Sequence, residues 1–519
     1  ADMTGALDAE GQWLYRLVAV GRDSGTQVDH VSDDRVVLMP SLTWKPNADT
    51  SLTLQAMHQQ DKSGSLIGFF PWQGTQLPNR YGQIPTNTFI SEPGWDAYDT
   101  TNNSWGYLFS HQFNSDWTLR QNLRRTVSEV DYRTIYTSFT ANAALGRPAR
   151  PVFNSDNRTV VRDAVWNINT GRMLLIDTQL EGKLKAGSTE HTLLAGLDVQ
   201  RNHTGQQAWR AVAPAIDVYN PVYGNFTPPT ASQLVRQPSV EQKQLGFYLQ
   251  DQIKWDRFTA TVGLRHDNAK TDTEGRPAAA VNDKAWSKRA GVTYQMDGGW
   301  APYAGYSESF QPLGGANAYG TPFKPQRGEQ WEAGVKWQPP GQGINAFAAV
   351  YQLREKNRKT TDPGNPLNSL QIGEVKVKGF EAEVQASLAR NWDFTVGYAF
   401  TDAKISRSNT GDQGQPVAST PRHTASAWLS HRFASEGRGG WTVGAGVRYT
   451  GSQWSGTSAI STPAATLADA MVAYDAGDWR VAFNVVNLAD KVHITQCLAR
   501  GDCFYGQART YTLTSTYRF

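Results

Sequence analysis

Long apolar runs and cysteine are both scarce in this chain of 519 residues. No stretch approaches the roughly 18 consecutive apolar residues of a membrane-spanning helix, so helical spans are excluded. An excess of one charge is also lacking, because the formal net charge is only +3. The composition therefore gives no reason to expect nucleic acid as a partner.

Only two cysteines occur, Cys497 and Cys503, in the segment CLARGDC. Two thiols are too few ligands for a structural zinc site. A local disulfide is the better interpretation, and it indicates an oxidising compartment. Closing so short a loop contributes roughly 2–2.5 kcal/mol on the chain-entropy estimate.

Aromatic residues, by contrast, are plentiful, and alternation is the main pattern. The chain has 18 Trp and 20 Tyr, although its mean hydropathy is only -0.52, and such side chains suit a boundary between an apolar phase and water. Alternation with a period of two places apolar and polar residues on opposite faces of a β-strand. It recurs in WTVGAGVRY (441–449), FTATVGLR (258–265), FEAEVQASL (380–388), WRVAFNVVN (479–487) and the closing TYTLTSTYRF (510–519).

The strand predicted at 441–449 has the length of a membrane span. Its eight steps cover about 26 Å along the strand, and a tilt of ~40° leaves roughly 20 Å of depth, near the ~25 Å apolar band of an outer-membrane barrel. A midplane arginine facing lipid costs ~2–4 kcal/mol, so we predict that Arg265 and Arg448 face the lumen. Glu332 and Glu381 are predicted to face inward with them. Residues predicted to face lipid are Trp441, Phe483, Val262 and Leu388.

Connections between the predicted strands alternate between short and long. Short turns are predicted at 45–50, 114–116, 185–190, 255–257, 296–299, 338–343, 389–391 and 475–478. Long loops are predicted at roughly 60–102, 131–160, 201–240, 310–326, 354–373, 402–420 and 488–508. This alternation is expected when one rim of a barrel faces the periplasm and the other faces the medium. The fold class is therefore all-β, a transmembrane antiparallel β-barrel of about twenty strands. A soluble β-sandwich or propeller is the alternative, and no repeat of about 40–50 residues supports it.

Nine motifs, in order along the chain, resemble those of the TonB-dependent outer-membrane receptors, in particular the ferric hydroxamate siderophore receptors. They are LDAEGQWLYRL (7–17), FNSDWTLRQNLR (113–124), HTLLAGLDVQ (191–200), FYLQDQ (247–252), YSESFQP (306–312), GEQWEAGVK (328–336), VKGFEAEVQA (377–386), PRHTASAW (421–428) and VNLADK (486–491). The segment 497–519 resembles the family's cysteine-bridged last loop and last strand, which implies that Cys497 and Cys503 are bonded on the extracellular rim.

The resemblance implies a 22-stranded receptor barrel in the outer membrane of a Gram-negative bacterium, with residues 1–519 forming the barrel domain. The family's N-terminal plug domain is not in this sequence, and we expect the first barrel hairpin to be absent too. Strand 12–22 and strand 509–519 would then each carry an unpaired edge, and an open sheet is not viable in lipid. The implied function is binding of a ferric siderophore and its import with TonB energy coupling through the absent N-terminal segment. Implied partners are the siderophore, the TonB complex, and outer-membrane lipid and lipopolysaccharide, with the receptor itself a monomer.

The resemblance also places ligand binding in the extracellular loops, which are dense in aromatic residues. A ferric hydroxamate is compact and not strongly charged, so aromatic walls with a few polar donors suit it. A ferric catecholate would need a denser basic patch. The candidate ligand-binding residues are Phe69, Phe70, Trp72, Tyr81, Tyr136, Trp209, Tyr219 and Tyr223. Each could instead pack the loops together or belong to the upper aromatic girdle.

Lumenal carboxylates form a second candidate site. In the family such glutamates pair with arginines of the plug, which implies that Glu332, Glu381 and Glu383 contact it. They could also be solvated lumenal carboxylates. No cofactor or resident metal is expected, because iron enters only as part of the siderophore.

Two other functions compete with a receptor. A passive diffusion porin for small polar solutes is the main alternative, but porins have fewer strands. A barrel enzyme finds no support in the motifs, since the nine histidines show no HExxH spacing and no G-x-S-x-G or P-loop occurs. We therefore expect no catalytic residues.

Overall fold

The computed structural model describes residues 1–141, 148–277, 280–362, 365–389, 391–408, 411–433 and 439–519, with side chains at all of these except 361, 362, 365–368, 372, 388 and 389. The described residues contain no α-helix, and they include the 3-10 turns Ala231–Gln233 and Asp297–Gly299. No helix in this part of the chain is long and apolar enough to cross a membrane.

Strands make up most of the rest. The first half has β1 (Asp2–Ala6), β2 (Trp13–Arg22), β3 (Asp33–Trp44), β4 (Thr50–Ser63), β5 (Phe70–Pro71), β6 (Ala97–Gln112), β7 (Trp117–Thr137), β8 (Thr159–Ala186), β9 (Thr189–Asp217), β10 (Val235–Trp255), β11 (Phe258–Thr273), β12 (Val281–Tyr294) and β13 (Trp300–Gln311). The second half has β14 (Gln326–Trp337), β15 (Ile344–Asp362), β16 (Asn365–Ala389), β17 (Trp392–Arg407), β18 (His423–Phe433), β19 (Gly439–Thr450), β20 (Gln453–Trp454), β21 (Ser461–Thr462), β22 (Ala465–Ala476), β23 (Trp479–Val486), β24 (Ile494–Cys497), β25 (Asp502–Tyr505) and β26 (Thr510–Tyr517).

Twenty-one of these strands form a single antiparallel sheet in which each strand pairs with the next strand of that sheet along the chain. The prediction of about twenty strands is therefore close. β26 pairs with β23, and in the described residues it has no pairing with β2. The predicted free edge of β2 is wrong over residues 14–18, because β1 pairs with it there.

The two faces of the sheet differ as predicted. Trp441, Phe483 and Val262 are exposed on the apolar face. Arg265 and Arg448 lie on the opposite face, where each is paired with an aspartate: Arg265 Nη2 lies 2.7 Å from Asp267, and Arg448 Nε lies 2.6 Å from Asp469. In a membrane barrel the polar face is the lumenal one. The predicted lipid contact of Leu388 concerns a side chain outside the described part.

Aromatic side chains form two bands on the apolar face. One band lies beside the short turns, where the rings pair across strands with centroids 4.8–6.0 Å apart: Trp13 with Trp44, Trp255 with Phe258, Trp300 with Trp337, Trp441 with Tyr474, and Trp479 with Tyr517. The other lies nearer the long connections and includes the exposed rings of Trp105, Trp286 and Trp331. Such girdles mark the two interfaces of an outer-membrane barrel.

The alternation of short turns and long connections is confirmed, but the strands reach further than predicted. β8 has 28 residues and β9 has 29, so each extends well beyond an apolar band of ~25 Å. Three segments that were predicted as loops are strand in the structure: 131–137 belongs to β7, 201–217 to β9 and 354–362 to β15. The sequence does not indicate these extensions. Both faces of a hairpin above the membrane are in water, so its strands need no alternation of apolar and polar residues.

The buried apolar clusters lie in the long connections and in the parts of the strands beside them. One cluster contains Phe70, Ile84, Ile90, Val160 and Val218. It joins the first long connection, residues 64–96, to the upper ends of β8 and β9. The outer connections are therefore a packed structure that can hold side chains in fixed positions.

Candidate ligand-binding site

Two distant parts of the chain form one folded unit above the barrel. The last long connection contains β24 and β25, and the predicted disulfide between Cys497 and Cys503 joins them. β25 also pairs with β5, where Cys503 faces Phe70. We call residues 494–505 the disulfide hairpin. The pairing makes this hairpin part of a three-stranded sheet with the first long connection.

Side-chain and backbone contacts hold the disulfide hairpin against residues 64–96. Trp72 donates a hydrogen bond from Nε1 to the carbonyl of Leu498, 426 residues away in sequence, at 3.0 Å. Gly501 has a φ of 109°, and a Cβ there would lie 2.8 Å from the Cβ of Arg150. Only glycine meets both demands without strain. The position of the hairpin is thus fixed by its own turn and by its neighbours.

Beside this unit, the upper ends of β7, β8, β9 and β10 line an open cavity of about 860 Å³. This volume is in the range of cavities that bind small molecules. Its lining combines aromatic rings, amides and two guanidinium groups, from Phe69, Tyr132, Tyr136, Phe139, Asn167, Gln206, Gln237, Arg210 and Arg500.

The strand register explains why these side chains meet. Tyr132 pairs with Asn167 across β7 and β8, and Asn167 pairs with Ala208 across β8 and β9. Cross-strand partners and every second residue share a face of the sheet. Tyr136 and Arg210 therefore belong to the same face. It is the face that carries the lumenal polar residues further down the same strands.

Phe69 is the centre of the aromatic wall. Its ring contacts those of Tyr136, Phe139 and Phe504, with centroids 5.3, 5.5 and 5.7 Å away in edge-to-face arrangements. Phe69 also has a φ of 52°, a left-handed conformation that is uncommon for a bulky residue. Such a conformation persists only when surrounding contacts hold it, and it is often found where side-chain placement matters.

Two arginines line the cavity, and each is matched by a buried carboxylate. Arg210 lies 2.8 Å from Asp163, whose side chain is 2% exposed, and Arg500 lies 2.9 Å from Asp502, which is fully buried. Burial raises the pKa of Asp502, and the adjacent Arg500 guanidinium opposes that shift. The cavity therefore offers cationic hydrogen-bond donors without a large excess of positive charge.

The structure brings some of the predicted ligand residues together. Phe69 and Tyr136 line the cavity, and Trp209 borders it. Trp209 lies between two cavity residues of β9, so its ring belongs to the other face, where it packs with Trp95 and Phe226. The density of aromatic residues in the sequence was a sufficient signal for the first two.

Other predicted ligand residues lie elsewhere in the outer connections. Phe70 and Trp72 are buried in the loop core. The rings of Tyr81 and Tyr219 contact each other in a tilted arrangement with centroids 5.7 Å apart, and neither ring lines the cavity. Tyr223 donates a hydrogen bond to the carbonyl of Phe89 at 2.9 Å. These contacts agree with the alternative that loop aromatics pack the loops, and ligand contact by these residues stays a prediction.

Sequence reasoning missed the polar half of the cavity. Arg210 and Arg500 were not among the predicted site residues, because only the fold shows that each is paired with a buried carboxylate. Gln206 and Gln237 come from strand extensions that were predicted as loops. One signal was available: Arg500 lies between the two cysteines, so a disulfide would hold it in a short loop.

The lumenal glutamates also lie on the polar face. Glu332 accepts hydrogen bonds from the Tyr303 hydroxyl at 2.6 Å and from Gln330 at 3.0 Å. Glu383 accepts one from Gln385 at 2.8 Å, and Glu381 is exposed. Their side chains are thus available to a domain inside the lumen. Contact with a plug stays a prediction.

Comparison with known proteins identifies similar chains. A family model described as TonB dependent receptor-like, beta-barrel, matches residues 41–488. The ferrichrome outer membrane transporter/phage receptor of Escherichia coli K12 is 32% identical, with a match over 100% of this chain and 72% of its own length. The ferrioxamine B receptor of Salmonella typhimurium is also 32% identical, over 100% of this chain and 73% of its own length.

A solved structure agrees with the fold. The closed form of the ferric-catecholate import receptor Fiu from E. coli K12 has a TM-score of 0.85, with 22% identity over 100% of this chain and 79% of its own. An identity this low shows the fold alone.

Proposed function

This chain belongs to the TonB-dependent outer-membrane receptors, and from that premise we propose that it binds a ferric siderophore of the hydroxamate type in the cavity beside the disulfide hairpin. Import of the bound complex is driven by TonB energy coupling. Both relatives at 32% identity are named for ferric hydroxamates, ferrichrome and ferrioxamine B. The comparisons give no support to the porin alternative, and we assign no catalytic residue and no cofactor.

One observation carries the choice of ligand class. The cavity has an aromatic wall, and its two arginines are each neutralised by a buried aspartate. A ferric trihydroxamate has an apolar and oxygen-rich surface with little net charge, which suits aromatic contacts and a few donors. A ferric tricatecholate carries a strong negative charge and would require unpaired cations.

The lumenal glutamates fit a second part of this function. Glu332, Glu381 and Glu383 would hold a lumenal plug by pairing with its basic side chains. Since Glu332 is already hydrogen-bonded to Tyr303, its carboxylate is oriented before any plug contact. This role applies to the receptor as a whole and would keep so wide a lumen closed.

Uptake by whole cells tests the proposal. The receptor is expressed in a Gram-negative strain that lacks its own siderophore receptors, and accumulation of radioactive iron is measured for several iron-loaded siderophores. We expect iron from at least one ferric trihydroxamate to be taken up, and we expect no such uptake in cells without TonB. Uptake that continues without TonB would favour a passive porin, and uptake of ferric tricatecholates alone would contradict the ligand class.

A further inference from the structure

Arg500 lies in a short turn that leaves it little freedom. The disulfide between Cys497 and Cys503 joins the two ends of this turn. Two backbone hydrogen bonds also close it, from Leu498 N to the Asp502 carbonyl at 2.8 Å and from Gly501 N to the Leu498 carbonyl at 3.0 Å. The backbone of the whole segment CLARGDC is therefore held in one shape.

The guanidinium of Arg500 is fixed as well. Its Nε and Nη2 donate to the two carboxylate oxygens of Asp502 at 2.9 and 3.1 Å. Its central carbon lies 5.2 Å from the ring centroid of Phe69 and 4.9 Å from that of Phe139. A bidentate carboxylate and two aromatic rings together orient a planar guanidinium in a way that a lysine could not reproduce.

One part of this guanidinium remains available to a ligand. The Arg500 side chain is 48% exposed and lines the cavity, while Asp502 is fully buried. Within the residues that the structure describes, Nη1 makes no hydrogen bond, so its two N–H groups are free to bind an acceptor. Because the Asp502 carboxylate has no contact with water, Arg500 is the group that balances its negative charge.

A second arginine across the same cavity repeats this arrangement. Arg210 donates from Nη2 to Asp163 at 2.8 Å. Asp163 is 2% exposed and also accepts a hydrogen bond from Ser138 at 2.8 Å. Both guanidinium groups are thus anchored from behind by a carboxylate that a ligand does not touch.

We propose that Arg500 contacts the bound chelate and that its pairing with Asp502 makes the site select an uncharged ferric chelate over an anionic one. This inference rests on the proposed function, because it concerns the same cavity. An uncharged chelate receives hydrogen bonds from Nη1 at its iron-binding oxygens, in an orientation fixed before binding. An anionic chelate instead meets a buried negative charge behind each arginine, which opposes its binding.

Two substitutions test the two halves of the proposal. Arg500→Gln removes the donor and the charge, while Asp502→Asn keeps the shape of the buried partner and removes its charge. The matched control is Arg158→Gln, because Arg158 also stacks on a ring, that of Tyr81 at 4.8 Å, and pairs with an aspartate, Asp217 at 2.7 Å, outside the cavity. Dissociation constants are measured on the purified receptor for an uncharged ferric trihydroxamate and for a trianionic ferric tricatecholate.

We expect Arg500→Gln to raise the Kd of the trihydroxamate by about tenfold or more, as for an arginine that a bound ligand covers at a binding hot spot. Asp502→Asn should lower the ratio of the tricatecholate Kd to the trihydroxamate Kd by about tenfold, since the freed positive charge favours the anion. Arg158→Gln should leave both constants within about twofold.

Two results would overturn the inference while the proposed function stands. The first is wild-type affinity in Arg500→Gln. The second is an unchanged ratio of the two Kd values in Asp502→Asn. If both Kd values rise equally in that variant, the pair only supports the hairpin. If the wild-type receptor binds no ferric hydroxamate, the proposed function fails, and this inference fails with it.

Discussion

Phe69 shows how much a single side chain can contribute to the cavity. Its left-handed backbone and its three ring contacts leave it one position. A rigid aromatic anchor loses little conformational entropy when a ligand arrives, which is why such residues dominate binding energies.

Removing this anchor should weaken binding. We predict that Phe69→Ala combined with Tyr136→Ala raises the Kd for a ferric hydroxamate at least tenfold, because loss of the aromatic anchor removes contact with the ligand worth ~2 kcal/mol or more. Tryptophan fluorescence quenching on the purified receptor measures the change. Phe226→Ala is the matched control, since Phe226 packs on Trp95 with centroids 4.8 Å apart and does not line the cavity. Unchanged affinity in the double variant would remove the cavity from the binding site.

From the sequence, Phe69 and Tyr136, which line the cavity, could not be separated from Phe70 and Trp72, which do not. These residues lie in an irregular loop, where no period indicates which side chain faces inward. The structure separates them because β5 pairs with the disulfide hairpin and directs Phe70 into the loop core.

At the scale of single elements, the disulfide hairpin connects the chemistry of the cavity to the fold. It carries Arg500 to the cavity, places Phe504 against Phe69, and pairs with β5. The disulfide between Cys497 and Cys503 was correctly predicted from their spacing in the sequence. Its partner strand β5 was not predictable, because a two-residue strand has no pattern of its own.

Removing the disulfide should loosen the hairpin without affecting the barrel. We predict that Cys497→Ser with Cys503→Ser lowers hairpin stability by about 2 kcal/mol, so that protease cleavage within residues 494–505 becomes faster and ferric hydroxamate affinity falls several-fold. The temperature at which the barrel unfolds should stay the same, since the wall strands do not depend on this bond. A hairpin as resistant to protease as the wild type would show that β5 alone holds it.

The wall strands make a separate prediction. Ala333 lies on the apolar face of β14 between the aromatic residues Trp331 and Trp337, and its partners across the sheet are Ala304 and Val350. Replacing it by arginine should destabilise the barrel in lipid by ~2–4 kcal/mol, because the charge would face hydrocarbon. Unfolding by denaturant in lipid vesicles measures the difference.

The matched control for this substitution is Gln330→Arg on the same strand. Gln330 is hydrogen-bonded to Glu332 on the lumenal face, so an arginine there meets water and a carboxylate. We expect little change in the free energy of unfolding for this variant. Equal destabilisation by both substitutions would mean that the two faces have been assigned wrongly.

For the molecule as a whole, the barrel was accessible from the sequence, because lipid forces a strict alternation on every spanning strand. Strands such as 441–449 and 479–486 were predicted closely for that reason. The extensions of β8 and β9 were not, since above the membrane both faces meet water or loops. The cavity lies at those extensions, and this is why its polar residues were missed.

The complete receptor should separate binding from transport. Binding depends on the outer connections, while import requires energy delivered to the lumen. We predict that cells without TonB still bind a ferric hydroxamate at their surface but do not accumulate its iron. Cell-associated radioactive iron, measured before and after a wash with excess unlabelled chelate, distinguishes the two states. Accumulation without TonB would contradict an energised receptor.

The affinity of the purified receptor for a panel of chelates tests the assignment of ligand class most directly. The panel contains uncharged ferric trihydroxamates, ferric tricatecholates and iron citrate, and binding is measured by fluorescence quenching at one pH and salt concentration. We expect a Kd near the nanomolar range, about −12 kcal/mol, for at least one trihydroxamate, and binding at least tenfold weaker for the tricatecholates. Tight binding of a tricatecholate with no binding of any trihydroxamate would contradict the assignment of this cavity, with its aromatic rings and paired arginines, to ferric trihydroxamates.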